Sequence, residues 1–162
     1  NSVTAKATCI SIDITQDTDR NLLTLGIKDN GTGMDEETGK KVLDPFYTTK
    51  TEKKVGLGVP LLKGTAETTG GTFRLSSVIG KGTEIFASFD LNHPDLPPLG
   101  NIRDTILVLV VGNPDTDFLI RIKSDSREFV LDTKKMRDLL EGVPINHPDV
   151  ITFLTKYIDD NT

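Results

Sequence analysis

Along residues 8–15 apolar and polar positions alternate, with Cys9, Ile12 and Ile14 separated by Ser11 and Asp13, and residues 21–28 repeat the pattern with Leu22, Leu25 and Ile27. A period of two predicts half-buried strands, because successive side chains on a strand point to opposite faces. The polar stretch 16–20 between them is short enough to close an antiparallel hairpin. Asp35, Glu36 and Glu37 then form the acid-rich first turn of a short helix that ends near Leu43, where Asp44 and Pro45 stop it. Residues 48–55 are polar and lysine-rich without apolar periodicity, which is the profile of a surface loop. Val59, Leu62 and Ala66 recur at helical spacing and predict a helix reaching Thr69, with Pro60 in its first turn and Gly70-Gly71 as its left-handed stop. Strands follow at 72–78 and 83–91, turning on 79–82.

The order strand pair, helix, loop, helix, strand pair predicts an α/β fold: a two-layer sandwich with a mostly antiparallel sheet and helices on one face. Pro94, Pro97, Pro98 and Gly100 concentrate in 92–100 and mark a linker. Beyond it, 101–162 reads as a small α+β extension that packs against the first part. Its elements are a helix at 102–111 with Asp104 as cap, a hairpin of 118–122 and 129–131, and helices at 133–140 and 147–157.

Composition narrows the function classes. With 36% apolar and 27% charged residues the chain is globular, and its net charge of −5 argues against gripping a nucleic-acid backbone. Neither part is a basic arm: 11 bases meet 13 acids up to residue 100, and 8 meet 11 after it. The strongest apolar run, 106–111, falls far short of the ~20 residues that span a bilayer, so no membrane insertion is expected and a cytoplasmic address follows by default. The single cysteine, Cys9, has no partner for an internal disulfide and is expected as a buried strand residue.

Three glycine boxes carry the candidate chemistry. In Asp29-Asn30-Gly31-Thr32-Gly33-Met34, closely spaced glycines after a strand let backbone approach a ligand, and a strand-end carboxylate can accept from an exocyclic amine; a plain Asn-Gly turn explains the same residues. Gly56-Leu57-Gly58 stands at the mouth of a helix, where free amides and the helix dipole attract phosphate, with Lys50, Lys53 and Lys54 just upstream; a flexible loop with solvated lysines is the plainer reading. Gly80-Lys81-Gly82-Thr83 is either a tight hairpin turn or a turn whose threonine hydroxyl points back under a base.

Taken in order, with the run from Asp44 to Lys50 (DPFYTTK) and the run GLGVPLLKGTAETTGG between them, these boxes resemble the ATP-binding (Bergerat-fold) domain of the GHKL superfamily over residues 1–91. That group takes in histidine kinases, anti-sigma-factor serine kinases, type II topoisomerases, heat-shock chaperones and mismatch-repair proteins. The histidine-kinase catalytic domain is the closest likeness. The whole chain also resembles stand-alone bacterial ATP-binding regulators, through weaker motifs such as GNPDTDF.

The resemblance implies ATP and Mg²⁺ as cofactors. Asp29 is then the acceptor for the adenine amino group, directly and through a water shared with Thr83. Gly31 and Gly33 let the base slide against the loop, while Met34, Val59 and Leu62 line or support its pocket. Gly56, Leu57 and Gly58 bring amides to the phosphates within a lid at 50–58, Lys50 contacts phosphate, and Phe46 anchors the lid. Asn1 is the metal ligand; a carboxamide oxygen suits a hard cation that keeps waters and bridges phosphates. The hydrolysing members' general-base glutamate falls upstream of residue 1, so the chain is expected to be part of a longer protein and catalysis stays undecided.

Two functions stay open: phosphotransfer to a histidine or serine of a partner protein in signalling, or a nucleotide-gated protein-binding module without kinase activity. The partner is a phosphoacceptor or regulated target, and a homodimer stays open. His93 mimics phosphoacceptor spacing with Pro98 and Ile102, but Pro94, Pro97 and Pro98 oppose a helix there, and His147 reads as a surface residue.

Overall fold

The computed structural model describes residues 2–46 and 57–161. Strands β1 (Cys9–Asp17) and β2 (Leu22–Asp29) form the first hairpin, followed by helices α1 (Glu36–Lys41) and α2 (Gly58–Thr68). A second hairpin, β3 (Phe73–Val78) and β4 (Gly82–Asp90), leads to α3 (Ile102–Gly112). The chain ends with β5 (Asp117–Ser124), β6 (Arg127–Asp132), α4 (Thr133–Leu139) and α5 (Pro148–Asn161). The predicted elements are all present, with shifts of one to a few residues at their ends.

Among the described residues the strands make one six-stranded sheet in the order β3-β4-β2-β1-β5-β6. Every pairing is antiparallel except β1 with β5, which run parallel from Cys9 beside Asp117 to Gln16 beside Ser124. The extension therefore does more than pack against the first part: its hairpin continues the same sheet. Thr18 N–H and hydroxyl both donate to Asp125 Oδ1, at 3.0 and 2.9 Å, fastening the turns of the two hairpins together.

Register explains why all the helices share one face. Ile10, Ile12 and Ile14 stand beside Phe118, Ile120 and Ile122 on one side and beside Asp29, Ile27 and Leu25 on the other. Burying that apolar face is the main stabilising term, at roughly 25 cal/mol per Å². Over β1, β5 and β6 it is covered by Ile106, Val110, Val150, Leu154 and Ile158 of α3 and α5. Over β2 and β4 it is covered by Leu62 and Ala66 of α2. The other face is charged, carrying the pairs Arg121–Asp13 and Lys28–Glu84, with the Arg74 guanidinium 5.1 Å from the Phe86 ring centre.

Two expectations are corrected. Cys9 is exposed, because strand parity puts it with Ser11 and Asp13 on the open face. The cap of α3 is Asn101, whose side chain accepts from Asp104 N–H at 3.0 Å, and Asp104 instead supplies the first-turn acid.

Candidate functional site

Asp29 is the last residue of β2, opposite Thr83 at the start of β4. Strand parity turns it toward the helix layer, where it is 7% exposed. A carboxylate there must be hydrogen-bonded, and three segments supply its donors. Oδ1 accepts from Gly31 N–H at 2.9 Å and Thr83 N–H at 3.3 Å, and Oδ2 accepts from the Ser2 hydroxyl at 2.6 Å. An ionised carboxylate has about four acceptor directions, so this one, held in a fixed orientation, keeps capacity for a further donor such as an exocyclic amine.

The glycines of the first and third boxes interlock. A Cβ on Gly31 would lie 2.7 Å from the Ala5 carbonyl oxygen, and one on Gly33, at φ +66°, would lie 2.0 Å from that of Val78. On Gly82, at φ +101°, it would lie 1.9 Å from the carbonyl oxygen of Asp29 itself. Gly80 N–H donates to Thr32 O at 2.8 Å, and Thr32 N–H to Ala5 O at 2.9 Å. The chain's own backbone thus already requires glycine at 31 and 33, quite apart from the sliding base expected from sequence.

The start of α2 is built differently. Among the described residues, Gly58 has nothing within 4 Å of where a Cβ would stand. Leu57, at the N-cap position and 44% exposed, makes no side-chain cap, and no acid sits in the first turn. Helices α1, α3 and α4 are each capped by a side chain, from Asp35, Asn101 and Asp132. First-turn amides with no side-chain cap among the described residues, and the positive end of the helix dipole, suit an anion. α2 packs over β3 and β4, and its far end is pinned where Asp90 N–H donates to Thr69 O at 3.3 Å.

Among the remaining predicted residues, Met34 is half-buried and donates its N–H to Ser77 Oγ at 2.8 Å. Val59 is half-buried, and Leu62 belongs to the core beneath α2. Phe46, expected to anchor a lid, is 88% exposed. Asn1, Lys50 and Gly56 lie outside the described residues. Among those described, no three His, Cys, Asp or Glu side chains gather as a metal site. His93 lies in a turn, its Nδ1 accepting from Asp95 N–H at 3.2 Å, and exposed His147 stands just before α5.

Three residues that tie these loops and the Asp29 carboxylate together escaped sequence reasoning. Ser2 and Ser77 carry no motif signal of their own. Asn30 does, as a side-chain amide directly after a strand: its Oδ1 accepts from Thr8 and Cys9 N–H, both at 2.9 Å, and its Nδ2 donates to Thr8 Oγ1 at 2.9 Å. It thereby ties the loop after β2 to the start of β1. Near the site, Asp35 is held below the usual carboxylate range by the backbone N–H of Thr38 that it caps.

The chain is similar to several known proteins. A family model described as histidine kinase-, DNA gyrase B-, and HSP90-like ATPase matches residues 1–93. The sensor kinase CckA of Brucella abortus is 40% identical over 58 residues, 35% of this chain and 6% of that protein. The autoinducer sensor kinase/phosphatase CqsS of Vibrio cholerae is 36% identical over 81 residues, 50% of this chain and 11% of that protein. The chain thus spans a small part of the length of these relatives. A solved N-terminal domain of a DNA repair protein superposes with a TM-score of 0.55 at 17% identity, covering 82% of this chain and 49% of that one, which is a likeness of fold.

Proposed function

The chain belongs to the histidine kinase-, DNA gyrase B-, and HSP90-like ATPase family as a histidine-kinase-like ATP-binding domain, and from that premise we propose that it binds Mg²⁺-ATP and passes the γ-phosphoryl group to a separate protein in a cytoplasmic signalling pathway. The observation that carries this reading is the buried, three-donor carboxylate of Asp29 at the sheet's end, with acceptor capacity to spare.

In this reading Asp29 accepts from the adenine amine, and Thr83 shares a bridging water with it. The first-turn amides of α2, with Gly56, Leu57, Gly58 and Lys50, meet the phosphates. Gly58 supports this part, since no described residue demands a glycine there. Asn1 would hold Mg²⁺ through its carboxamide oxygen, and the ion when bound neutralises charge on the phosphates. The bond from the γ-phosphorus to its bridging oxygen breaks, ADP leaves with that electron pair, and a histidine nitrogen or serine oxygen of the partner forms the new bond to phosphorus and releases its proton to solvent. Positioning and charge stabilisation are what a protein contributes to such a transfer.

A second reading, a nucleotide-gated protein-binding module, is favoured by one observation. The extension is wired to the loop after Asp29: Asn30 holds Thr8, and the Thr8 carbonyl accepts from Asp117 N–H of β5 at 2.9 Å. Incubating the protein with γ-labelled ATP and cell extract separates the two. A reproducibly labelled partner protein supports transfer, and ATP binding without any labelled protein supports gating.

A further inference from the structure

Across β3, β4 and β2, three polar residues stand side by side on the helix-covered face: Ser77 pairs with Thr83, and Thr83 with Asp29. Every other helix-side position of β3 is apolar, Phe73 and Leu75. A lone serine ending that row must therefore satisfy its hydroxyl locally.

Ser77 Oγ makes three contacts: Met34 N at 2.8 Å, the Gly82 carbonyl oxygen at 3.1 Å and Thr83 Oγ1 at 2.8 Å. Each hydrogen bond needs one proton, and the donors fix where the protons lie. The Met34 amide can only donate to Ser77. The Gly82 carbonyl can only accept, so in the one arrangement that makes all three contacts hydrogen bonds it takes the single Ser77 proton. The third contact is then closed by the Thr83 hydroxyl donating to Ser77. With its proton spent in this way, Thr83 offers lone pairs alone to whatever lies beside Asp29.

We propose that Ser77 is a positioning residue that sets the polarity of the Thr83 hydroxyl, so that Thr83 and Asp29 present only acceptors and select a purine with an amino group at position 6 over one with a carbonyl there. This rests on the nucleotide-binding reading above. An exocyclic amine brings two N–H donors to such an edge, whereas a 6-oxo group sets an acceptor against an acceptor. Without Ser77 the Thr83 hydroxyl is released to rotate and donate to the water it shares with Asp29, which frees a water proton for the 6-oxo oxygen. The loss of partners for Met34 N–H and Gly82 O weakens both nucleotides alike. The discrimination, not the affinity, therefore reports the role.

The test is titration calorimetry of the full chain with ATP and with inosine triphosphate. Ser77→Ala should lower the ATP-to-inosine-triphosphate affinity ratio about fivefold, the worth of one hydrogen bond. Ser77→Cys, which fills the space but bonds weakly, should lower it in the same direction and serves if the alanine variant does not fold. Thr83→Val should also lower the ratio, and Ser77→Ala added to it should lower it no further. Equal weakening of both nucleotides by the Ser77 variants, or independent effects in the double variant, overturns the inference. A wild-type chain that binds neither nucleotide overturns the nucleotide-binding reading instead, and the two failures are told apart by the wild-type titration.

Discussion

The backbone N–H of Thr83 donates to Asp29 Oδ1 across the β2–β4 ladder at 3.3 Å, and the same carboxylate is 7% exposed. Asp29→Asn keeps the shape but puts an amide where two backbone N–H groups and a hydroxyl converge. ATP affinity should fall about 10- to 100-fold, the range for a lost hydrogen bond to a charged group. Stability should fall by about 1–3 kcal/mol from the mismatched donors. Calorimetry reads the first and urea unfolding the second; unchanged affinity would remove Asp29 from the site.

Gly33 and Gly58 should behave oppositely toward alanine. At Gly33 the added Cβ meets the Val78 carbonyl oxygen at 2.0 Å in a left-handed backbone, so Gly33→Ala should cost at least about 2 kcal/mol of stability. At Gly58 no described residue lies within 4 Å and alanine favours the helix, so Gly58→Ala should leave the urea midpoint level or slightly higher. Its ATP affinity should nonetheless drop, by about tenfold if phosphate oxygens lie close over the first turn.

Leu154 of α5 is fully buried in the cluster that also holds Ile10 of β1 and Phe118 of β5. Leu154→Ala should cost about 2–5 kcal/mol. Because β1 lies between β2 and β5, that loss should shift a single transition for the whole molecule. Two separate transitions in a thermal melt, with only one displaced, would count against this shared sheet.

Asp35 caps α1 by accepting from Thr38 N–H at 2.7 Å, and its pKa is lowered from 3.8 chiefly by that bond. A depressed folded value means the ionised cap's contribution is complete above 3.8 and disappears as pH falls through the lower folded value. The melting temperatures of wild type and Asp35→Ala should differ at pH 7 and draw together in strongly acidic buffer.

The elements and the box order were legible in sequence because each rests on local physics: a period of two, a helical period, glycine stops. Parity even held the right answer for Cys9, which is out of phase with Ile10, Ile12 and Ile14. The parallel partnership of β1 with β5 was not legible, since nothing in either strand names a mate across such a distance. Nor were Ser2 and Ser77, because a hydroxyl gains its role only from the tertiary placement that sets it beside Asp29 or Thr83. The motifs named Gly31 and Gly33 but not the backbone they press against.

The β1–β5 pairing also sets an order of events for the newborn chain. Asp13 and Arg121, which meet at 3.3 Å across it, are 108 positions apart. Until residues 101–124 have been made, β1 lacks its parallel partner, and Ile10 and Ile12 lack the cover that α3 and α5 supply. A non-local parallel pairing of this kind forms late and slowly. Refolding rate, more than equilibrium stability, is where this architecture leaves its mark.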